Sequence, residues 1–222
     1  MLRILIADDH ELARRGIRAV LESHPDWEVC AEATDGRETV ELAANVKPDV
    51  VLLDIGMPNL NGLEAARQIL AMTPNVAILI LTMHDSDNVV IEVLRAGARG
   101  FLLKSDAGRD LVSAVEALQS QRTFFTTRVS QMVLNGFLDC GGHAAARKLE
   151  RGEMGSDVLT SREREVIQLL AEGKTSKEVA VALNLSVKTA ETHRTNLMRK
   201  LGLRSVADLT RYAVRNGIVQ VF

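Results

Sequence analysis

The chain has 222 residues, 46% hydrophobic and 3% aromatic, with a formal net charge of −2. That length holds one large domain or two small ones with real cores, and no apolar run approaches membrane-spanning length. Two distant cysteines, Cys30 and Cys140, exclude a disulfide framework or a cysteine metal cluster, and Asp8-Asp9 comes too early for a secretory leader, so a reducing cytoplasm is expected.

The charge is unevenly spread. Residues 1–122 hold 12 Lys and Arg against 19 Asp and Glu, a net of −7. Residues 123–157 hold four of each, and residues 158–222 hold 11 basic against 6 acidic, a net of +5. An acidic part joined to a basic part points to two domains with different partners. The expected division is 1–122, a partly helical linker over 123–157, and 158–222.

In the acidic part, apolar runs alternate with helix-periodic segments. Strands are expected at Leu2–Ala7, Val29–Ala33, Val50–Asp54, Ala77–Leu81 and Gly100–Leu103. Helices are expected near Leu12–Leu21, Arg37–Asn45, Leu63–Met72, Val89–Ala96 and Leu111–Gln119. Five such βα units predict an α/β fold, a doubly wound parallel sheet with helices on both faces. Val50–Leu53 does not alternate, as expected of a strand buried on both faces.

Asp8 and Asp9 follow the first strand, Asp54 ends the third, Thr82 follows the fourth and Lys104 the fifth. All five fall at C-terminal strand ends, the edge where open α/β sheets place their chemistry. Alone, Asp54 reads equally well as a turn cap. Together the residues have a chemical logic. Three neighbouring carboxylates need a cation, and an all-oxygen site suits Mg²⁺. The metal and Lys104 would neutralise a phosphoryl group, Asp54 would attack phosphorus, and Thr82 would donate to a phosphoryl oxygen.

Asp8-Asp9, Asp54 with Met57-Pro58, Gly62, Thr82, Gly97-Ala98 and Lys104 together resemble the receiver domain of bacterial response regulators, of flavodoxin-like fold. The resemblance implies Mg²⁺ held by Asp8, Asp9, Asp54 and the backbone carbonyl of Gly56. It implies a sensor histidine kinase as phosphoryl donor, and a switch pair of Thr82 and Phe101. One departure is Ser105, where many receivers have a proline that is often cis. His10 is expected to cap or pack at the first helix start, and His84 to tune dephosphorylation.

Between the domains, a short helix is expected over Thr126–Phe137, a break at Asp139–Gly142 and a polar helical stretch over Ala144–Arg151.

The basic part is helical throughout. Thr160–Glu163 and Thr175–Glu178 are capping-box sequences, and Ser186 can cap a third helix. Val166, Leu169 and Leu170, then Val179, Ala180 and Leu183, then Val187, Ala190, Leu197 and Leu201 mark successive buried faces. Leu209, Ala213 and Val214 mark a fourth. Two short helices around a tight turn predict a helix-turn-helix in an all-α four-helix domain. The third helix turns Lys188, Thr189, Thr192, Asn196 and Lys200 outward, types that reach phosphates and base edges in a major groove.

Leu159–Val166, Gly173–Ala180 and Leu185–Gly202 resemble LuxR-type DNA-binding domains. The resemblance places Lys188, Thr189 and Thr192 near bases, and Lys177, His193, Asn196 and Lys200 near the DNA backbone. Glu191 stands where many relatives have Lys. Both halves together are similar to the NarL/FixJ family of response regulators. The resemblance implies a regulator of transcription, not an enzyme. Its implied partners are double-stranded DNA in inverted or direct half-sites, RNA polymerase and a second copy of the chain. The switching face would be that of the fourth and fifth strands and their helices. Two rivals are a phosphatase of haloacid-dehalogenase type, whose nucleophile follows the first strand, and a constitutive DNA binder with a vestigial receiver.

Overall fold

The five apolar runs form β1 (Leu2–Ala7), β2 (Trp27–Ala33), β3 (Val50–Asp54), β4 (Ala77–Thr82) and β5 (Gly100–Leu103). The structure, a computed structural model, describes residues 1–83, 87–126, 129–131 and 159–219. Every strand pairing is parallel, in the order β2-β1-β3-β4-β5. This is the doubly wound sheet that the sequence predicts, with its topological switch between β1 and β3. β3 lies at the centre with every residue buried, which accounts for its lack of alternation.

Five helices cover the two faces: α1 (Glu11–Glu22), α2 (Gly36–Val46), α3 (Gly62–Met72), α4 (Asp87–Arg95) and α5 (Ala107–Gln119). Leu5, Val51, Leu53, Ile78, Ile80 and Phe101 pack against Ala43, Leu63, Ala66, Ile69 and Val93 of α2, α3 and α4. The alternate residues Ile4, Ile6, Leu52, Leu79 and Leu102 pack against Ile17 and Leu21 of α1 and Leu111, Val115 and Leu118 of α5. The period-two alternation of strand side chains divides the core this way.

Some boundaries differ from the expected ones. β2 begins two residues early, at Trp27, whose indole stacks on His24 at 4.2 Å. Thr82 is the last residue of β4 rather than the first beyond it. A 3₁₀ turn over Lys104–Asp106 leads into α5, so that helix starts at Ala107.

The loop from Ile55 to Asn61 is tightly folded. The Gly62 amide donates to the Ile55 carbonyl at 3.0 Å. A Cβ on Gly62 would stand 1.9 Å from the Asp54 carbonyl oxygen, so only glycine fits there. Asn61 caps α3, its side chain accepting from the Glu64 amide at 2.9 Å.

The C-terminal body contains α6 (Ser161–Ala171), α7 (Ser176–Ala182), α8 (Val187–Lys200) and α9 (Val206–Arg215) around its own core. Both predicted capping boxes form, at Thr160 with Glu163 and at Thr175 with Glu178. Asn184 (φ 51°) makes the turn between α7 and α8. Val187 departs from expectation. It opens α8 with 40% exposure, and the core contacts begin one turn later at Ala190.

The expected linker elements from residue 132 to Arg151, and His84, lie outside the described residues. Among the described residues no helix is long and apolar enough to cross a membrane.

Candidate functional site

Parallel pairing brings the ends of β1, β3, β4 and β5 to one edge. Asp8 and Asp54 are almost wholly buried there, and Asp9 is partly buried. The Lys104 ammonium stands 2.7 Å from Asp8 Oδ2 and 2.9 Å from Asp54 Oδ2. Thr82 is fully buried at the end of β4, level with Leu103, and Phe101 is buried in β5. The structure thus gathers Asp8, Asp9, Asp54, Thr82 and Lys104, while Phe101 sits in the core beneath them.

Asp8 and Asp54 share one ammonium and Asp9 lies beside them, which leaves negative charge in excess. Burial pushes the Asp54 carboxyl above the usual aspartate range, Lys104 pulls it down, and Asp8 adds to the rise. Burial pushes the Lys104 ammonium down, but Asp54 and Asp8 outweigh it and hold the group above its usual range. Asp54 Oδ1 is buried with no hydrogen-bond partner, a costly arrangement unless a ligand completes it. Ligand atoms of Asp8, Asp9, His10 and Asp54 all lie within 4.8 Å of one another. An oxygen-rich cluster with an unpartnered buried carboxylate oxygen fits a hard divalent cation.

Of its two expected roles at the start of α1, capping or packing, His10 does not take the first. It occupies the N-cap position of α1, yet its side chain makes no cap hydrogen bond. Its Nδ1 lies instead 2.7 Å from Asp9 Oδ1 and 3.4 Å from Asp8 Oδ1.

The C-terminal body docks against this edge. Buried Gln168 of α6 donates from Nε2 to the Met57 carbonyl at 3.0 Å, and its Oε1 accepts from the Asn61 amide at 2.7 Å. Asn61 Nδ2 donates to the Ile218 carbonyl at 3.0 Å, and Lys174 donates to Asn59 Oδ1 at 2.8 Å. Arg164 of α6 pairs with Glu92 of α4 at 2.9 Å, beside Arg67 of α3 at 2.8 Å. Burial pushes the Glu92 carboxyl up, but Arg164, Arg95 and Arg67 together hold it below its usual range. A cavity of about 100 Å³ lies between the bodies, lined by Asp9, Gly56, Met57, Pro58, Gln168, Glu172, Ile218 and Val219. This docking was not legible in the sequence. Glu165 and Gln168 fall on the polar side of an amphipathic helix, and nothing local distinguishes a solvated polar face from one buried on another domain.

In the C-terminal body, Lys177, Lys188, Thr189, Thr192, Asn196 and Lys200 are exposed, and His193 is half-buried. Ser186 caps α8, accepting from the Thr189 amide at 3.0 Å. Lys200 is engaged by Glu163 at 2.8 Å. The docked receiver therefore leaves the outward face of α8 open.

Comparison with known proteins agrees with both halves. The family described as "Response regulator receiver domain" matches residues 4–116. That described as "Bacterial regulatory proteins, luxR family" matches residues 157–213. The transcriptional regulatory protein LiaR of Bacillus subtilis is 37% identical over 219 residues, covering 99% of this chain and all of that one. The oxygen regulatory protein NreC of Staphylococcus aureus is 36% identical over 220 residues, with the same coverage. Among solved structures, RcsB of Salmonella enterica serovar Typhimurium, bound to the rprA promoter with the phosphomimetic BeF₃⁻, is 29% identical. It matches with a TM-score of 0.61 over 95% of this chain and 97% of that one.

The raised Asp54 carboxyl makes a stability prediction. A carboxyl raised by folding binds its proton more tightly folded than unfolded, so stability is greatest below the ordinary aspartate range and falls as pH rises through the raised value. Asp54→Asn abolishes that fall. In metal-free buffer at pH 7 the variant should exceed wild type by about 1 kcal/mol in urea unfolding, with the gap closing at acid pH. A variant less stable than wild type at pH 7 would show that the Lys104 pairing outweighs burial.

Proposed function

The chain belongs to the NarL/FixJ family of two-component response regulators, and on that premise we propose that phosphorylation of Asp54 by a sensor histidine kinase switches its sequence-specific binding to promoter DNA. The receiver spans 1–122, the linker 123–157 and the DNA-binding domain 158–222 in this reading, and the protein acts in the cytoplasm. The observation that carries it is the Asp54 carboxylate, buried beside Lys104, with one oxygen unpartnered at the convergent strand ends.

Asp54 attacks the phosphorus of a phosphohistidine, the P–N bond breaks, the imidazole leaves with a proton and an acyl phosphate forms. Lys104 exchanges the lost carboxylate charge for a phosphoryl oxygen. Thr82, at the end of the neighbouring strand, donates its hydroxyl to another, and Phe101 in β5 follows that movement. Asp8, Asp9, Asp54 and the Gly56 carbonyl would hold Mg²⁺, which supplies positive charge to the transferring group when bound. The chain turns over no external substrate.

The signal has a short path. Gly56 and Met57 lie two and three residues beyond Asp54, and the Met57 carbonyl accepts from Gln168. A new charge at Asp54 displaces this loop, weakens the Gln168 hydrogen bonds and releases the DNA-binding domain. Docking leaves the face of α8 exposed, so it does not act by covering that face. It acts by holding each domain to its own receiver, where two domains cannot meet half-sites about one DNA turn apart as a homodimer. RNA polymerase is the partner downstream.

On DNA, Lys188, Thr189 and Thr192 of α8 face bases, while Lys177, His193, Asn196 and Lys200 contact the backbone.

Acetyl phosphate with Mg²⁺ should label wild type and leave Asp54→Ala unlabelled; equal labelling of both would remove Asp54 as acceptor. Lys188→Ala should weaken specific DNA binding by about 1–3 kcal/mol. Lys200→Ala should weaken binding to all sequences and flatten its salt dependence, measured by fluorescence anisotropy at several salt concentrations. Loss from neither change would rule out α8 as the DNA-contacting helix. Gln168→Ala leaves the Met57 carbonyl and the Asn61 amide without their interdomain partner, costing docking about 1–3 kcal/mol. Small-angle scattering should then show a larger radius of gyration for the unphosphorylated variant than for wild type, and an unchanged radius would mean that Gln168 does not hold the bodies together.

A further inference from the structure

His10 stands where a helix cap is usually Ser, Thr, Asp or Asn, and it does not cap. Its own amide donates to Asp8 Oδ1 at 2.9 Å, which fixes the backbone against the acidic pair. The imidazole Nδ1 is turned toward the same carboxylates, 2.7 Å from Asp9 Oδ1 and 3.4 Å from Asp8 Oδ1. Ligand atoms about 2.1 Å from one ion stand about 3 Å apart when adjacent and about 4.2 Å apart when opposite. The Nδ1 separations bracket the adjacent value, and the 4.8 Å limit on the whole set asks only for a small contraction. Asp54 Oδ1, buried and without a hydrogen-bond partner, is an independent sign that this cluster is built around a ligand.

We propose that His10 supplies a nitrogen ligand to the acidic site and makes it prefer Mn²⁺ and the later first-row divalent ions over Mg²⁺. The inference rests on Asp8, Asp9 and Asp54 being the metal site and adds one residue to it. Mg²⁺ is hard, holds its waters and gains little from an imidazole. Affinity for a nitrogen donor climbs from Mn²⁺ through Co²⁺ to Ni²⁺, so the ring tilts the competition toward those ions. An imidazole ligates through a ring-nitrogen lone pair, which Nδ1 would give to the ion in exchange for its contact with Asp9. The side chain is more than half exposed, so little desolvation opposes the exchange.

The test uses the full-length protein and Mn²⁺ alone. The electron paramagnetic resonance of free Mn²⁺ gives its affinity, Mg²⁺ competition gives that of Mg²⁺, and pulsed spectra of bound Mn²⁺ report a coordinated ¹⁴N. Wild type should bind Mn²⁺ at least about tenfold more tightly than Mg²⁺ and show ¹⁴N modulation. In His10→Ala and His10→Gln the modulation should vanish and Mn²⁺ affinity should fall by about tenfold, with Mg²⁺ affinity within twofold of wild type. The retained Mg²⁺ affinity shows that the variants fold. Bound Mn²⁺ without ¹⁴N modulation in wild type, or modulation that survives both substitutions, overturns the role of His10 alone. Equal losses for both ions overturn it as well. Absence of Mn²⁺ and Mg²⁺ binding to wild type overturns the metal site itself and the inference with it.

Discussion

The protein is organised around a buried negative charge with too little positive charge beside it. Asp54 ends the central strand, almost wholly enclosed, with Asp8 next to it and Lys104 bridging the two. A parallel sheet brings these residues together, because the C-terminal ends of β1, β3, β4 and β5 share one edge. The cost of the arrangement is also its use. A group whose charge is poorly compensated responds strongly to a cation or a phosphoryl group, and its neighbours must move when that balance changes.

The proposed movement would have a direction because the following loop is tightly packed. Gly62 lies against the Asp54 carbonyl with no room for a Cβ, and its amide ties back to Ile55. The same loop presents the Met57 carbonyl and the Asn61 amide to Gln168 across the domain boundary. One short segment thus carries the proposed phosphoacceptor at its start and the grip on the DNA-binding domain at its end. Around it, Arg164, Glu92 and Arg67 form a partly buried ion-pair network that adds orientation to the grip. The coupling proposed here needs no long relay through the core.

Much of this was readable from residue order. Val50–Leu53 marks a central strand because it lacks alternation, and Asp8, Asp9, Thr82 and Lys104 mark one sheet edge because each follows such a run. The capping boxes at Thr160 and Thr175 placed two helices by local hydrogen-bond chemistry alone. What the sequence did not carry was tertiary. His10 read as a cap or a packing residue at the helix start, and only the fold turns its ring toward Asp9. Gln168 and Glu165 carried no sign of docking, because burial of a polar helix face on a partner domain leaves no periodic mark. The expected switching face, that of β4, β5 and their helices, takes part in the docking only through α4, where Arg164 pairs with Glu92. The docking uses the β3–α3 loop, α3 and Glu92 of α4, none of which a hydrophobic pattern singles out.

The central claim is that charge added at Asp54 releases the docked DNA-binding domain. The most direct measurement is the distance distribution between two spin labels, one on the exposed face of α1 and one on α9, before and after addition of beryllofluoride with Mg²⁺. Wild type should shift from one short distance to a broad, longer distribution, and Asp54→Ala should not respond. An unchanged distribution in wild type that nonetheless forms the beryllofluoride adduct would contradict the account.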